Sequence, residues 1–218
     1  MRVFVTGATG FIGTAVVSKL VQAGHQVLGL ARSDDSITSL RAAGAEAHHG
    51  SLQDADSLAA GAGRCEGVIH LAHDMGAGTL SLAESMDLDR QGIAALVKAL
   101  SGTGKALVGT TGIMLMTPGK VSTERDASDP ASPAGFRVPS ETDVLAAAEQ
   151  GVRACVVRLA PSVHGEGDAK GFASLFTALA REKGRSPTWG CEGFSAASYV
   201  KGQRVLGDGK QLIPVIIG

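Results

Sequence analysis

Six short strand-like runs alternate with five stretches of helical spacing, and this alternation restricts the fold more than any other feature. The runs RVFVT (2–6), QVLGLA (26–31), AEAHHG (45–50), GVIHLA (67–72), KALVGT (105–110) and VRACVVRLA (152–160) have the length of buried strands. After the first, Ile12, Val16 and Leu20 recur at helical intervals with Val17 and Val21 beside them, and Gly24 suits the stop. Further helices are expected over 36–44, with Ile37 and Leu40 inward, and over 54–63. A longer one runs from about Met86 to Leu100, with Ile93, Leu96, Val97 and Leu100 on one face. The last spans 140–151, with Ser140 at its start and Gly151 after its end. Strands joined through helices lie parallel, and helices then cover both faces. The expected fold class is therefore α/β, a doubly wound parallel sheet of six or more strands. Ligands in such sheets bind at the carboxyl ends of the strands, where the strand order reverses.

The first strand-to-helix junction, TGATGFIG (6–13), sets Gly7, Gly10 and Gly13 three apart. Gly7 permits a tight turn, Gly10 lets backbone approach a pyrophosphate, and Gly13 lets helix and strand pack closely. In this position the triplet reads as the dinucleotide fingerprint of a Rossmann fold. The helix N-terminus would offer its free N–H groups to the phosphates. The alternative is a glycine-rich turn with no ligand. The second strand ends in Ala31, Arg32 and Ser33, where an acid would pair the ribose hydroxyls of NAD. Arg32 supplies a permanent cation instead, which favours a 2′-phosphate and hence NADP (NADPH) over NAD. In the competing reading Arg32 is a solvated surface residue and Asp34 or Asp35 serves NAD.

Charge excludes some classes of partner. The 20 basic and 21 acidic residues nearly cancel, leaving no electrostatic footprint for nucleic acid or a membrane surface. Cys65, Cys155 and Cys191 lie too far apart for a zinc spacing and read as reduced, packed thiols. No segment is long enough to span a bilayer, and the N-terminal apolar stretch, broken by glycines and Lys19, does not read as a signal peptide. The expected compartment is the cytoplasm, and the expected partner a small-molecule substrate.

Taken in order, TGATGFIG, GSLQD (50–54), VIHLAH (68–73) and VVRLAPSVHGEGD (156–168) resemble the extended short-chain dehydrogenase/reductase superfamily, and within it the NAD-dependent epimerase/dehydratase branch. The resemblance covers residues 1 to about 185. It implies that Gly7, Ala8, Thr9, Gly10, Phe11, Ile12 and Gly13 embrace the pyrophosphate, and that Ser51 and Leu52 lie near the adenine, with Ser51 where the family usually has an acid. It implies that Leu71, Ala72 and His73 line the cofactor's path, and that Pro161, Ser162 and Val163 back the nicotinamide. Thr111 matches the serine or threonine that hydrogen-bonds the substrate oxygen, and His164 stands where the family often has tyrosine.

One part of the pattern is missing. The family uses a tyrosine and, four residues later, a lysine. The matching stretch here, FRVPSETD, puts Arg137 at the tyrosine and Glu141 at the lysine or, shifted by one, Phe136 at the tyrosine and Ser140 at the lysine. The single tyrosine, Tyr199, has Gln203 four residues on and reads as a packing residue. Thr111, His73, His164 and Arg137 are the candidate catalytic groups. His70 is expected to be a satisfied core histidine, His48 and His49 to sit at a sheet edge, and Glu141 to complement a helix dipole.

The Pro-, Ser- and Asp-rich stretch 117–135 reads as a loop over the site. Residues 1–165 are expected to form the NADP-binding domain and 166–218 a reduced substrate region, either shortened or a fragment. The apolar end QLIPVIIG is expected to be covered by a second copy of the chain. The resulting expectation is an NADP-dependent oxidoreductase reducing a small carbonyl or conjugated compound. A non-catalytic NADP-binding sensor or partner-binding module is the alternative.

Overall fold

The computed structural model describes residues 1–74, 80–161, 163, 165, 168 and 171–183. Six strands alternate with helices: β1 (Arg2–Thr6), α1 (Phe11–Gln22), β2 (Gln26–Ala31), α2 (Asp34–Ala42), β3 (Glu46–His49), α3 (Ala55–Gly63), β4 (Gly67–His70), α4 (Leu82–Leu100), β5 (Ala106–Gly112), α5 (Val138–Ala146), β6 (Arg153–Leu159) and α6 (Phe172–Lys183). All strand pairs are parallel and the order is β3-β2-β1-β4-β5-β6, the doubly wound Rossmann arrangement. Strand β1 is the pivot: Val3 pairs with Val27 of β2 on one side and Gly67 of β4 on the other. The crevice at the carboxyl ends of β1 and β4 is thus the switch point.

Alternation along the strands sorts two cores. Phe4 of β1 and Leu28 and Leu30 of β2 pack with Leu58 of α3, Leu96 and Leu100 of α4 and Val144 of α5. Their neighbours Val3, Val5 and Val27 face the other way, onto Val17 of α1 and Leu40 of α2. Cys65 is buried and Cys155 half-buried; both are free, and burial pushes both thiols up from their ordinary value. Cys191 lies outside the described residues. Among the described residues no helix is long and apolar enough to cross a membrane.

The elements differ from the sequence reading mainly at their ends, and caps explain most of it. Helix α2 starts at Asp34 because the Ser33 hydroxyl caps it, accepting from the Ser36 N–H at 3.3 Å. Helix α4 starts four residues before Met86. Ser81 and Glu84 form a capping box there, with Ser81 N–H donating to Glu84 Oε2 at 2.7 Å and Glu84 N–H to Ser81 Oγ at 3.3 Å. Helix α5 begins at Val138 with a proline in its first turn, so Ser140 is a buried residue inside the helix rather than its start.

Candidate functional site

The glycine turn lies at the switch point. Gly7 has φ of 66°, and an added Cβ would stand 2.7 Å from the Ala72 nitrogen after β4. A Cβ on Gly13 would stand 2.0 Å from the Gly7 carbonyl oxygen. Both positions therefore require glycine, for backbone conformation and for close approach. Gly10 is the N-cap of α1 and supplies no side-chain cap; the first turn also carries no acid. Ala8 is buried, Ile12 and Gly7 half-buried, and Thr9, Gly10 and Phe11 exposed. The turn thus closes inward on backbone and leaves an uncapped helix terminus facing outward, which fits the phosphates of a dinucleotide. The segment after β6 approaches the same mouth, since a Cβ on Gly165 would lie 3.5 Å from the Phe11 ring.

Arg32 is exposed just past β2, with no ion pair among the described residues. Asp34 and Asp35 sit in the first turn of α2, where they complement its dipole. Ser33 is occupied as the α2 cap. Ser51 is half-buried, and Leu52 packs against the first core.

Beyond β4 the polar groups become buried. Thr6, at the end of β1, accepts the Ala72 N–H at 3.2 Å, and its hydroxyl lies 2.7 Å from His70 Nδ1. The Thr6 hydroxyl can donate to Nδ1 when the His70 proton is on Nε2. That nitrogen lies 3.5 Å from Asp89 Oδ1, and His73 Nδ1 lies 3.5 Å from the same oxygen. Arg137 approaches the other oxygen, its Nη1 3.7 Å from Asp89 Oδ2. Its Nη2 donates to the Thr110 carbonyl at 3.0 Å. Asp89 is 2% exposed. Burial opposes its ionisation, but His70, His73, Arg137 and Ser140 together hold the carboxyl well below the usual carboxylate range. Burial in turn pushes the Arg137 guanidinium down, against Asp89 and Glu141, which favour its charge.

A second buried pair lies beside the first. Arg158 of β6 donates to Glu141 of α5 at 2.5 Å, and Thr111 of β5 donates its hydroxyl to Glu141 Oε2 at 2.7 Å. Burial raises the Glu141 carboxyl, and the bonds from Arg158 and Thr111 more than reverse this, so it titrates below its ordinary value. Arg158 also donates to the Asp126 carbonyl at 3.0 Å, anchoring the long loop at the site. That loop ends in the 3-10 turn Gly135–Arg137, which delivers Arg137 to Asp89.

The structure therefore brings together His73, Thr111 and Arg137. Leu71 packs against the second core, and Pro161 and Val163 are half-buried after β6. Ser162, His164 and Tyr199 lie outside the described residues, as does the apolar C-terminal end. His70 does more than fill the core, because it joins the switch point to Asp89. Glu141 lies in the first turn of α5, as expected, and is in addition the buried ion-pair partner of Arg158. Asp89 and Arg158 were absent from the sequence-based set. Asp89 sits four residues before Ile93 on the apolar face of α4, and Arg158 interrupts an apolar strand. Both are charges at core positions, a legible signal. Among the described residues no group of three or more His, Cys, Asp or Glu side chains is arranged to hold a metal.

A six-strand, doubly wound parallel sheet with this turn at its switch point defines a protein of the Rossmann-fold class. More narrowly, the model of the NAD-dependent epimerase/dehydratase family matches residues 3–212, and the chain belongs to that family. An uncharacterized protein of Schizosaccharomyces pombe is 42% identical over 190 residues, which cover 85% of this chain and 62% of the relative. An uncharacterized protein of Saccharomyces cerevisiae is 38% identical over 190 residues, with the same coverage. The chain thus spans 62% of the length of these relatives. The Bordetella bronchiseptica enzyme WbmG, solved in complex with NAD and UDP, shares the fold with a TM-score of 0.66 and 22% identity, over 86% of this chain and 61% of that one.

Proposed function

We propose that the protein is an NADP-dependent oxidoreductase that reduces a small carbonyl or conjugated substrate. The observation that carries this reading is the direct link between the glycine turn and the buried polar cluster, through Ala72 N–H, Thr6 and His70 to Asp89. A dinucleotide held on the turn has its reacting end beside that cluster. WbmG, which carries NAD in its structure, supports a dinucleotide in this fold.

In this reading Gly7 to Gly13 receive the pyrophosphate, and Ser51, Leu52, Leu71 and Ala72 line the path of the adenosine and ribose. Arg32 holds the 2′-phosphate with its planar donor fork. Pro161, Ser162 and Val163 back the nicotinamide. When bound, the nicotinamide supplies the hydride. Arg137 stands where the family has its tyrosine and stabilises negative charge on the substrate oxygen as a fixed cation. Thr111 gives its proton to Glu141, so it presents only lone pairs, which orient a substrate hydroxyl or a bound water.

The test is a fluorescence titration with NADPH and, separately, NADH, run with Arg32→Ala in parallel. NADPH is expected to bind more tightly, and the variant to lose about 1.5–3 kcal/mol toward NADPH alone. Equal affinities, unchanged in the variant, would remove the NADP assignment. The loss of the tyrosine and lysine motivates the second reading, a non-catalytic NADP-binding module. Tight NADPH binding without turnover of any carbonyl probe would favour it.

A further inference from the structure

We infer that His73, oriented by Asp89, is the proton donor that replaces the missing tyrosine and lysine, a conclusion that rests on the oxidoreductase reading above. Elimination among the described residues leads to it. Arg137 does not release its proton in proteins. The Thr111 proton is engaged by Glu141, a carboxylate held ionised by Arg158. His70 turns Nδ1 to Thr6 and Nε2 toward Asp89 at 3.5 Å, and at 4% exposed it lies deeper than His73, at 14%. The His73 Nδ1 lies 3.5 Å from Asp89 Oδ1, while its Nε2 has neither a hydrogen bond nor an ion pair among the described residues. An unpartnered buried imidazole nitrogen is destabilising, and substrate or water bound at the site would satisfy it.

The residue sits directly after β4, where Ala72 is bonded to the end of β1. The charged and titratable groups around it are Asp89 from α4, His70 from β4, and Arg137 from the turn before α5, with Glu141 of α5 acting on Arg137. Ionised Asp89 accepts from Nδ1–H, which orients the ring and leaves Nε2 as the nitrogen that transfers the proton. A nicotinamide bound at the turn would supply a hydride to the carbonyl carbon, the carbonyl π electrons would move to oxygen, and His73 Nε2 would give its proton to that oxygen. The products are an alcohol, NADP⁺ and neutral His73, which takes a proton from water.

Two readouts test this. In ¹⁵N-labelled protein, long-range imidazole spectra are expected to show neutral His73 with its proton on Nδ1, and Asp89→Asn to alter that preference. With 9,10-phenanthrenequinone as the carbonyl probe, wild-type turnover is expected to fall with rising pH along one ionisation. His73→Gln should lower turnover at least tenfold and flatten that profile, with NADPH affinity retained. Neutral His73 protonated on Nε2, or a wild-type pH profile in His73→Gln, would overturn the proposal while leaving the cofactor assignment standing. Absence of NADPH binding by the wild-type protein would instead overturn the reading beneath it. The imidazole spectra decide the tautomer whether or not the quinone is turned over.

Discussion

Arg158 and Glu141 are each nearly fully buried, and their pairing satisfies charges that would otherwise stand alone in the core. Removing one partner strands the other, so Glu141→Ala is expected to cost about 3–5 kcal/mol in urea unfolding. Replacing both, as Glu141→Leu with Arg158→Met, should cost less than Glu141→Ala alone, because no charge is left buried. A double variant less stable than the single would refute this account. The same carboxylate contributes to acid sensitivity. Its folded-state value is depressed, so its stabilisation is whole above the unfolded-state value, ordinarily 4.5, and is lost as pH falls through the folded value. Asp89 acts with the same sign from an ordinary 3.8. Stability should therefore decline as the solution is acidified below about pH 4.5, and Glu141→Gln should decline less steeply. Equal slopes in urea titrations across that range would exclude Glu141 as a contributor. The sequence holds a trace of these residues, since Asp89 and Arg158 interrupt apolar stripes. It does not hold their partners: 89 with 73 and 137, or 141 with 158, become neighbours only when the sheet forms.

At the scale of elements, the β1–α1 junction was legible because glycine spacing encodes backbone geometry directly. The structure makes the requirement quantitative at Gly13, where an added Cβ would lie 2.0 Å from a backbone oxygen, which has no rotamer by which to yield. Gly13→Ala is therefore expected to destabilise by about 1–3 kcal/mol or more through forced separation of α1 from the turn. Gly63, the exposed last residue of α3, has nothing within 4 Å of a would-be Cβ and ordinary φ. Gly63→Ala should instead stabilise by about 0.5 kcal/mol, chiefly by restricting the unfolded chain. Parallel thermal melts would show the opposite signs, and two shifts of the same sign would contradict the packing described for Gly13. Helix starts were less legible. The apolar stripe of α4 begins at Met86, whereas its backbone begins at Leu82, because Ser81 and Glu84 satisfy the first amides without contributing to any core.

For the whole molecule, hydrophobic alternation specified six strands and five helices, but not the order of strands in the sheet. That order is set by which faces must be buried: Phe4 and Val5 on successive positions of β1 each need a separate core, so helices must cover both sides. The order places the turn, the β4 end and the buried charges on one edge, so a dinucleotide bound there as proposed would couple binding to stability. Contacts from Gly7 to Gly13, Arg32 and the β4 end would cross the pivot between the two halves of the sheet, and only the folded sheet presents them together. NADPH at 100 times its dissociation constant is therefore expected to stabilise the fold by about 2.7 kcal/mol. For a chain of this length that corresponds to a rise of roughly 5–11 °C in Tm. NADH at the same concentration, binding more weakly, should give a smaller rise, and Arg32→Ala should reduce the NADPH shift to about the NADH value. His73→Gln should retain most of the NADPH shift, because the phosphate contacts are made by other residues. A loss of the NADPH shift in His73→Gln would place that residue in cofactor binding rather than in proton transfer.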